Sequence, residues 1–371
     1  MKQLLFMKNR FTIICTLLLA SLLVSGNALA AVVRGSVYGG GNLADVGGSV
    51  EVTIDGGEVI HDVYGGGALA NTNINNATDY NTENESISST VTNTTTVNLN
   101  GGIVNGDVYG GGLGDQNTAA LVYGDVTVNV NGSKLVTGYD ANNIVVAGRV
   151  FGANNINGTP KGDILVRMLK TAPVTNQPID VISVFGGGNL AAYQPVNAKS
   201  TQVLIQKADN NDQLLIGSVF GGGNEANVEA DANVTLISGV VKSGIYGGCY
   251  TQGTVTGAIE VNIEGNVGAT GNGNSVDIFG GGYGALTATS GDITVNIGNT
   301  GTPVIYGDIY GGSALGSVND AAADITEINI LAGTLNGNIY GGGLGEAGSE
   351  NVAKGQVNGT VIVNIGATDG A

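Results

Sequence analysis

One short phrase, Asp107-Val108-Tyr109-Gly110-Gly111-Gly112, returns along almost the whole chain and constrains the fold more than any other feature. Its pair of an apolar β-branched residue and an aromatic stands at Val37-Tyr38, Val63-Tyr64, Val108-Tyr109, Val150-Phe151 and Val184-Phe185. It continues at Val219-Phe220, Ile245-Tyr246, Ile278-Phe279, Ile309-Tyr310 and Ile339-Tyr340. A glycine follows every one of these aromatics, and successive aromatics lie 26 to 45 residues apart. Self-similarity at such a spacing marks a stacked or radial repeat, in which each unit buries its apolar face only against its neighbours.

The shortest unit, from Tyr38 to Tyr64, shows what one repeat must hold. It carries Val50-Glu51-Val52-Thr53-Ile54, a Gly56-Gly57 turn and a second strand ending in the aromatic. Related first strands, such as Val126-Thr127-Val128-Asn129-Val130 and Ile293-Thr294-Val295-Asn296-Ile297, alternate apolar and polar residues, as a strand with one face in a core does. Two clear strands and a short third, with turns, fit one coil. The expected fold is therefore all-β: a right-handed parallel β-helix (β-solenoid) of about ten rungs from Ala31 to the C-terminus. Unequal spacings disfavour a propeller or a β-prism. The long spacings become loops. The largest is a polar insertion at about 71–94, read as solvated or disordered, with further interruptions at Thr137–Asn143 and Lys170–Pro178 and a less regular stretch at Val203–Asn211. Glycine after the aromatic is expected to supply positive φ at a sharp corner.

Strand alternation assigns directions. The Val or Ile of each copy points inward. The residue before it (Ser36, Asp62, Asp107, Arg149, Ser183, Ser218, Gly244, Asp277, Asp308, Asn338) points outward, and so does the aromatic after it. Tyr38, Tyr64, Tyr109, Phe151, Phe185, Phe220, Tyr246, Phe279, Tyr310 and Tyr340 then form one outward row, the candidate ligand-binding strip. The competing reading is that the rings stack on one another beneath the loops after the glycines and serve stability alone. Asn129, Asn262, Asn296, Asn329 and Asn364 share a repeat position and are expected to form an amide ladder.

Little in the chain points to catalysis. Lys and Arg number 13 against 30 Asp and Glu, for a net charge of −17, which repels phosphate backbones and makes nucleic acid an unsuitable partner. His61 is the single histidine, so multi-histidine metal sites are excluded, and Cys249 is the one cysteine beyond residue 30. Cys249 replaces the third glycine of its repeat and reads as a small residue at a turn. The Gly-rich runs lack the lysine of a phosphate-binding loop and the aspartate of calcium-binding nonapeptide repeats. Asp62, Asp107, Asp277 and Asp308 recur at one repeat position, as structural residues do, whereas polysaccharide hydrolysis needs two specially placed carboxyls. No catalytic residue, metal or cofactor is therefore assigned.

Residues 1–30 read as a secretory signal peptide: Lys2, Lys8 and Arg10, then a mostly apolar run from Phe11 to Val24, then Ala28-Leu29-Ala30 before Ala31. A leader followed by Gly-rich rungs of the Val37-Tyr38-Gly39-Gly40-Gly41-Asn42 type resembles bacterial surface β-helix proteins, the autotransporter passengers and filamentous adhesins. The resemblance is one of architecture and composition. It implies an exported, non-catalytic protein at the cell surface or outside it, with a host or cell-surface glycan or protein as partner. The alternative is a polysaccharide lyase or hydrolase on the same scaffold. The sequence stops just after the strand Val361–Ile365, with the second half of that unit missing, so the chain is expected to continue beyond Ala371 or to have that end covered by a partner. The leader predicts a secreted form that begins at Ala31, which N-terminal sequencing of the exported protein checks.

Overall fold

The computed structural model describes residues 30–77, 92–143, 145–170, 179–207, 214–271, 274–319, 321–347 and 354–366. The leader, apart from its last residue, lies outside the described residues. So do 78–91 of the polar insertion, 171–178 and 208–213.

From Val32 onward the chain winds as an all-β parallel solenoid. Two parallel sheets of ten strands run its length, and every coil gives one strand to each. The first, here the aromatic sheet, begins with Val37–Tyr38 and Val63–Tyr64 and ends with Ile309–Tyr310 and Ile339–Tyr340. The second, the asparagine sheet, runs from Val50–Ile54 to Thr360–Ile365. Equivalent residues pair across rungs, for example Ile259 with Ile293 and Asn262 with Asn296. A third face is built piecemeal. Val32–Val33, Glu58–Val59, Ile103–Val104 and Lys134–Leu135 form it at one end, and Val304–Ile305 with Thr334–Leu335 near the other.

The core follows from the alternation. Val63, Val108, Val150, Val184, Val219, Ile245, Ile278 and Ile309 are fully buried as one column, facing columns such as Val97, Val128, Val166, Val203, Val234, Val261 and Val295. Each such side chain rests on its own copy in the rungs above and below. Burying one is worth roughly 1.5–3 kcal/mol.

Glycine after the aromatic has a different reason from the one expected. No glycine of these triplets adopts a left-handed φ. Their amides continue the inter-rung ladder instead: Gly110 N–H donates to Phe151 O at 2.9 Å, and Gly247 N–H to Phe279 O at 3.0 Å. What excludes a side chain is crowding. A Cβ on Gly110 would fall onto Gly152 O of the next rung and onto Val126 Cγ1 of the asparagine sheet, because the two sheets meet at this corner.

Three irregularities also resolve differently. The polar insertion is built into the solenoid at both ends. Thr72 bridges to Val46 and to Val122, and Asn73 and Asn76 are buried. Asn76 and Asn93 clamp the neck of the loop: Asn76 Nδ2 donates to Asn93 O at 2.7 Å, and Asn93 Nδ2 to Asn76 Oδ1 at 2.9 Å. The stretch beginning at Val203 is not irregular up to Lys207, since Thr201 to Lys207 pair residue for residue with Ile164–Lys170. The interruption near Thr137 is a small antiparallel pair of Gly138–Tyr139 with Val145–Ala147, the one antiparallel pairing among the described residues.

Gly110→Ala is expected to lower stability by about 1–3 kcal/mol, since neither backbone nor valine can move aside without disturbing the next rung. Thermal or urea unfolding against wild type measures this.

Candidate functional site

The ten aromatics do form one continuous row. Neighbouring rings stack with centroids 4.6 to 5.0 Å apart and planes within 4° to 13° of parallel. The strand spacing of about 4.8 Å sets that centroid separation. Each pair adds about 0.5–1.5 kcal/mol beyond its buried area. The rings lie on the opposite side of their strands from the valine column, as alternation requires, and make a second apolar cluster.

Their exposure differs from the expected open strip. Tyr64, Tyr109, Phe151, Phe185, Phe220, Tyr246, Phe279 and Tyr310 are buried, leaving Tyr38 half-buried and Tyr340 exposed at the two ends. Ring faces are covered by neighbouring rings. Edges are covered by the segment after the glycines, which folds back to place Leu113, Tyr250 and Ala314 against the row. Tyr38 and Tyr340, at the two ends, keep the largest exposure among the described rings, and a groove lies beside Phe185 and Phe220.

The aspartates before the repeat are structural as well, and not all of them face water. Asp62 Oδ1 accepts Asp107 N–H, Asp107 Oδ1 accepts Arg149 N–H, and Asp277 Oδ1 accepts Asp308 N–H, each at 2.8 Å. Asp308 Oδ1 accepts Asn338 N–H at 2.7 Å. Each carboxylate thus satisfies a backbone donor at its own position one rung on. Its other oxygen accepts the tyrosine hydroxyl two residues later where one exists: Tyr64 to Asp62 at 3.0 Å and Tyr109 to Asp107 at 3.3 Å. Burial, and then the nearby Asp62 charge, push the Tyr64 hydroxyl far above the ordinary tyrosine range, so it stays a donor.

Asp107 is the most enclosed of the set, its side chain 3% exposed. Arg149, which takes the aspartate position one rung later, donates from Nε and Nη2 to Asp107 Oδ2 at 3.0 and 2.6 Å. Its guanidinium also lies 5.2 Å from the centre of the Phe151 ring. Burial raises the Asp107 carboxyl above the ordinary carboxylate range, although hydrogen bonds and charge from Arg149 pull it down.

Asparagine ladders run where expected and in further places. Asn364 Nδ2 donates to Asn329 Oδ1 at 2.8 Å, Asn329 to Asn296 at 3.1 Å, and Asn296 to Asn262 at 3.0 Å. Asn129 donates to Asn98, a member the sequence reading passed over. Arg167, Leu204 and Thr235 occupy the position between these two runs. A second ladder follows the glycines: Asn224 donates to Asn189 and Asn189 to Asn155, at 2.8 and 2.9 Å.

The groove opens where the repeat changes character. For three rungs the aromatic is phenylalanine (Phe151, Phe185, Phe220), and in the next residues before the pair the aspartate gives way to Ser183, Ser218 and Gly244. Small residues beside rings without hydroxyls leave a depression of 560 Å³. The buried Phe185 and Phe220 lie beneath its floor, Ser183, Ser218 and Ser243 line one side, and Asn224, Glu225 and Tyr250 the other. Tyr250 leans across at 48° to Phe220, 4.9 Å between centroids. Thr251 beside it has φ 49°, a left-handed conformation that β-branched residues rarely adopt, and its Oγ1 donates to Asn224 O at 3.2 Å. Of these residues the sequence reading marked only the two phenylalanines as ligand candidates. The run of small residues beside three phenylalanines was the available signal.

Cys249 is fully buried, and its thiol is pushed up to about 12 by burial, so it is no thiolate at neutral pH. Comparison with family models, with curated proteins and with solved structures finds no match to this chain. The class the geometry defines is the parallel β-solenoid.

Loss of Arg149 would leave the Asp107 charge buried and unpaired. Arg149→Ala is expected to cost about 3 kcal/mol at neutral pH. A carboxyl held above its unfolded value stabilises the fold at low pH, and that contribution is lost as pH rises through the raised value. The deficit of Arg149→Ala should therefore shrink at acid pH, as pH falls through that raised value and the buried Asp107 carboxyl takes up a proton. Denaturant unfolding at neutral and acid pH checks it.

Proposed function

We propose that this chain is an exported, non-catalytic surface or secreted protein whose solenoid serves as an attachment or display scaffold of the adhesin kind. The leader-like residues 1–30 and the resemblance to autotransporter passengers and filamentous adhesins support export and surface display. The observation that carries the non-catalytic reading is the employment of the recurrent carboxylates. Asp62, Asp107, Asp277 and Asp308 each hold a backbone N–H of the next rung. Among the described residues lining the groove, Glu225 is the only acid, whereas glycoside hydrolysis works with a pair. The partner on this reading is a glycan or protein of a host or cell surface.

The test pairs a glycan array with turnover assays on uronate-containing and neutral polysaccharides, using the exported chain. Binding without release of shorter chains is the expected outcome. Reproducible cleavage that disappears when two particular carboxylates are changed would replace this reading with a lyase or hydrolase.

A further inference from the structure

We infer that the groove over Phe185 and Phe220 is a subsite for a neutral saccharide. The inference rests on the attachment reading above and names its site and ligand chemistry.

The argument begins with what the groove offers. Phe185 and Phe220 close its floor from beneath and are themselves buried, so the aromatic surface it presents is Tyr250, only partly buried and set at a slant to the buried row. The C–H face of a sugar ring is flat and apolar and packs against such a ring. The opposite side is hydroxylic. Ser183 and Ser218 hold equivalent positions on adjacent rungs, paired in register, and Ser243 is exposed just beyond. Among the described residues none of these three hydroxyls has a hydrogen-bond partner, so all are available to ligand hydroxyls. Glu225 is exposed at the rim and adds an acceptor. A ligand with one apolar face and a hydroxyl rim matches this division.

Charge selects among saccharides. The chain carries −17, and the one cation lining the groove, Arg149, is already committed to Asp107 through two hydrogen bonds. Uronate or sulfated ligands would meet Glu225 with no free cation among the described lining residues to balance it. A polypeptide segment would want a deeper, more continuous apolar trough than one slanted tyrosine supplies. The geometry is also anchored. Asn224, on the Asn155–Asn189–Asn224 ladder, accepts the Thr251 hydroxyl through its backbone O, which fixes the turn that carries Tyr250. That rigidity limits the ordering entropy that binding must overcome.

The experiment uses the exported chain on an array of neutral and acidic saccharides, followed by calorimetric titration with the best neutral hit. Tyr250→Ala removes the stacking wall. Ser243→Trp fills the groove from an exposed position and leaves the core alone. Tyr340→Ala, at the exposed end of the row, is the control. Both groove variants are expected to bind at least about ten-fold more weakly, with Tyr340→Ala unchanged and melting temperatures close to wild type. If Tyr250→Ala lowers the melting temperature, Ser243→Trp alone decides. Saccharide binding that survives Ser243→Trp, or that falls only with Tyr340→Ala, overturns the groove while leaving attachment standing. Preference for acidic saccharides, or binding of polypeptide but no saccharide, overturns the ligand assignment. Cleavage of the saccharide would instead remove the attachment reading on which the inference rests.

Discussion

Parallel, in-register stacking is the constraint on which everything else in this structure depends. Once a strand pairs with its own copy about 4.8 Å away, every side chain meets the same position of the next unit. Valine lies on valine, ring on ring and amide on amide. A residue is acceptable when it suits its own kind, and the hydrogen bonds between rungs hold the arrangement. The aspartates extend the rule beyond the strands, since each closes a backbone bond that belongs to its successor. The ion pair of Asp107 with Arg149 is the same contact with one partner exchanged for its opposite charge.

This constraint explains how much could be read without coordinates. Ten copies of one phrase gave the repeat, the alternation gave the inward valines, and Asn262, Asn296, Asn329 and Asn364 gave a ladder that the hydrogen bonds bear out. All of these are interactions of a position with itself, so a single repeat contains the information. What covers the aromatic row is not. Leu113, Tyr250 and Ala314 come from the segments after the glycines, whose residues change from unit to unit even where they pair in register, as Tyr250 does with Tyr283. Alternation gave the direction of the rings correctly and could not give their exposure. The neck of the insertion escaped notice for a like reason. Asn76 and Asn93 are an isolated pair in a polar stretch, with no copy elsewhere to mark them.

The glycines show a further limit. A glycine after an aromatic invites an argument from backbone dihedrals, yet the triplets take no left-handed φ. Space between rungs and between sheets decides the residue, and such space appears only when neighbouring units are assembled. The groove is the converse case. Ser183, Ser218 and Gly244 replace aspartate over successive rungs, and a fold that tolerates no disorder in its core gains a local surface by small departures on one outer column.

The inter-rung hydrogen bonds run along the axis of the coil, and a load applied between its two ends would run the same way. Tension applied from end to end would pull on those bonds along their length and reach the terminal rung before any other. Failure would then proceed by peeling, one coil at a time. A coil of 26 residues releases roughly 90 Å of extended chain, and one of 45 residues roughly 150 Å. The unequal loops thereby set unequal lengths of slack. For a chain held at one end and attached at the other, that is a series of extensible links in place of a single breaking point.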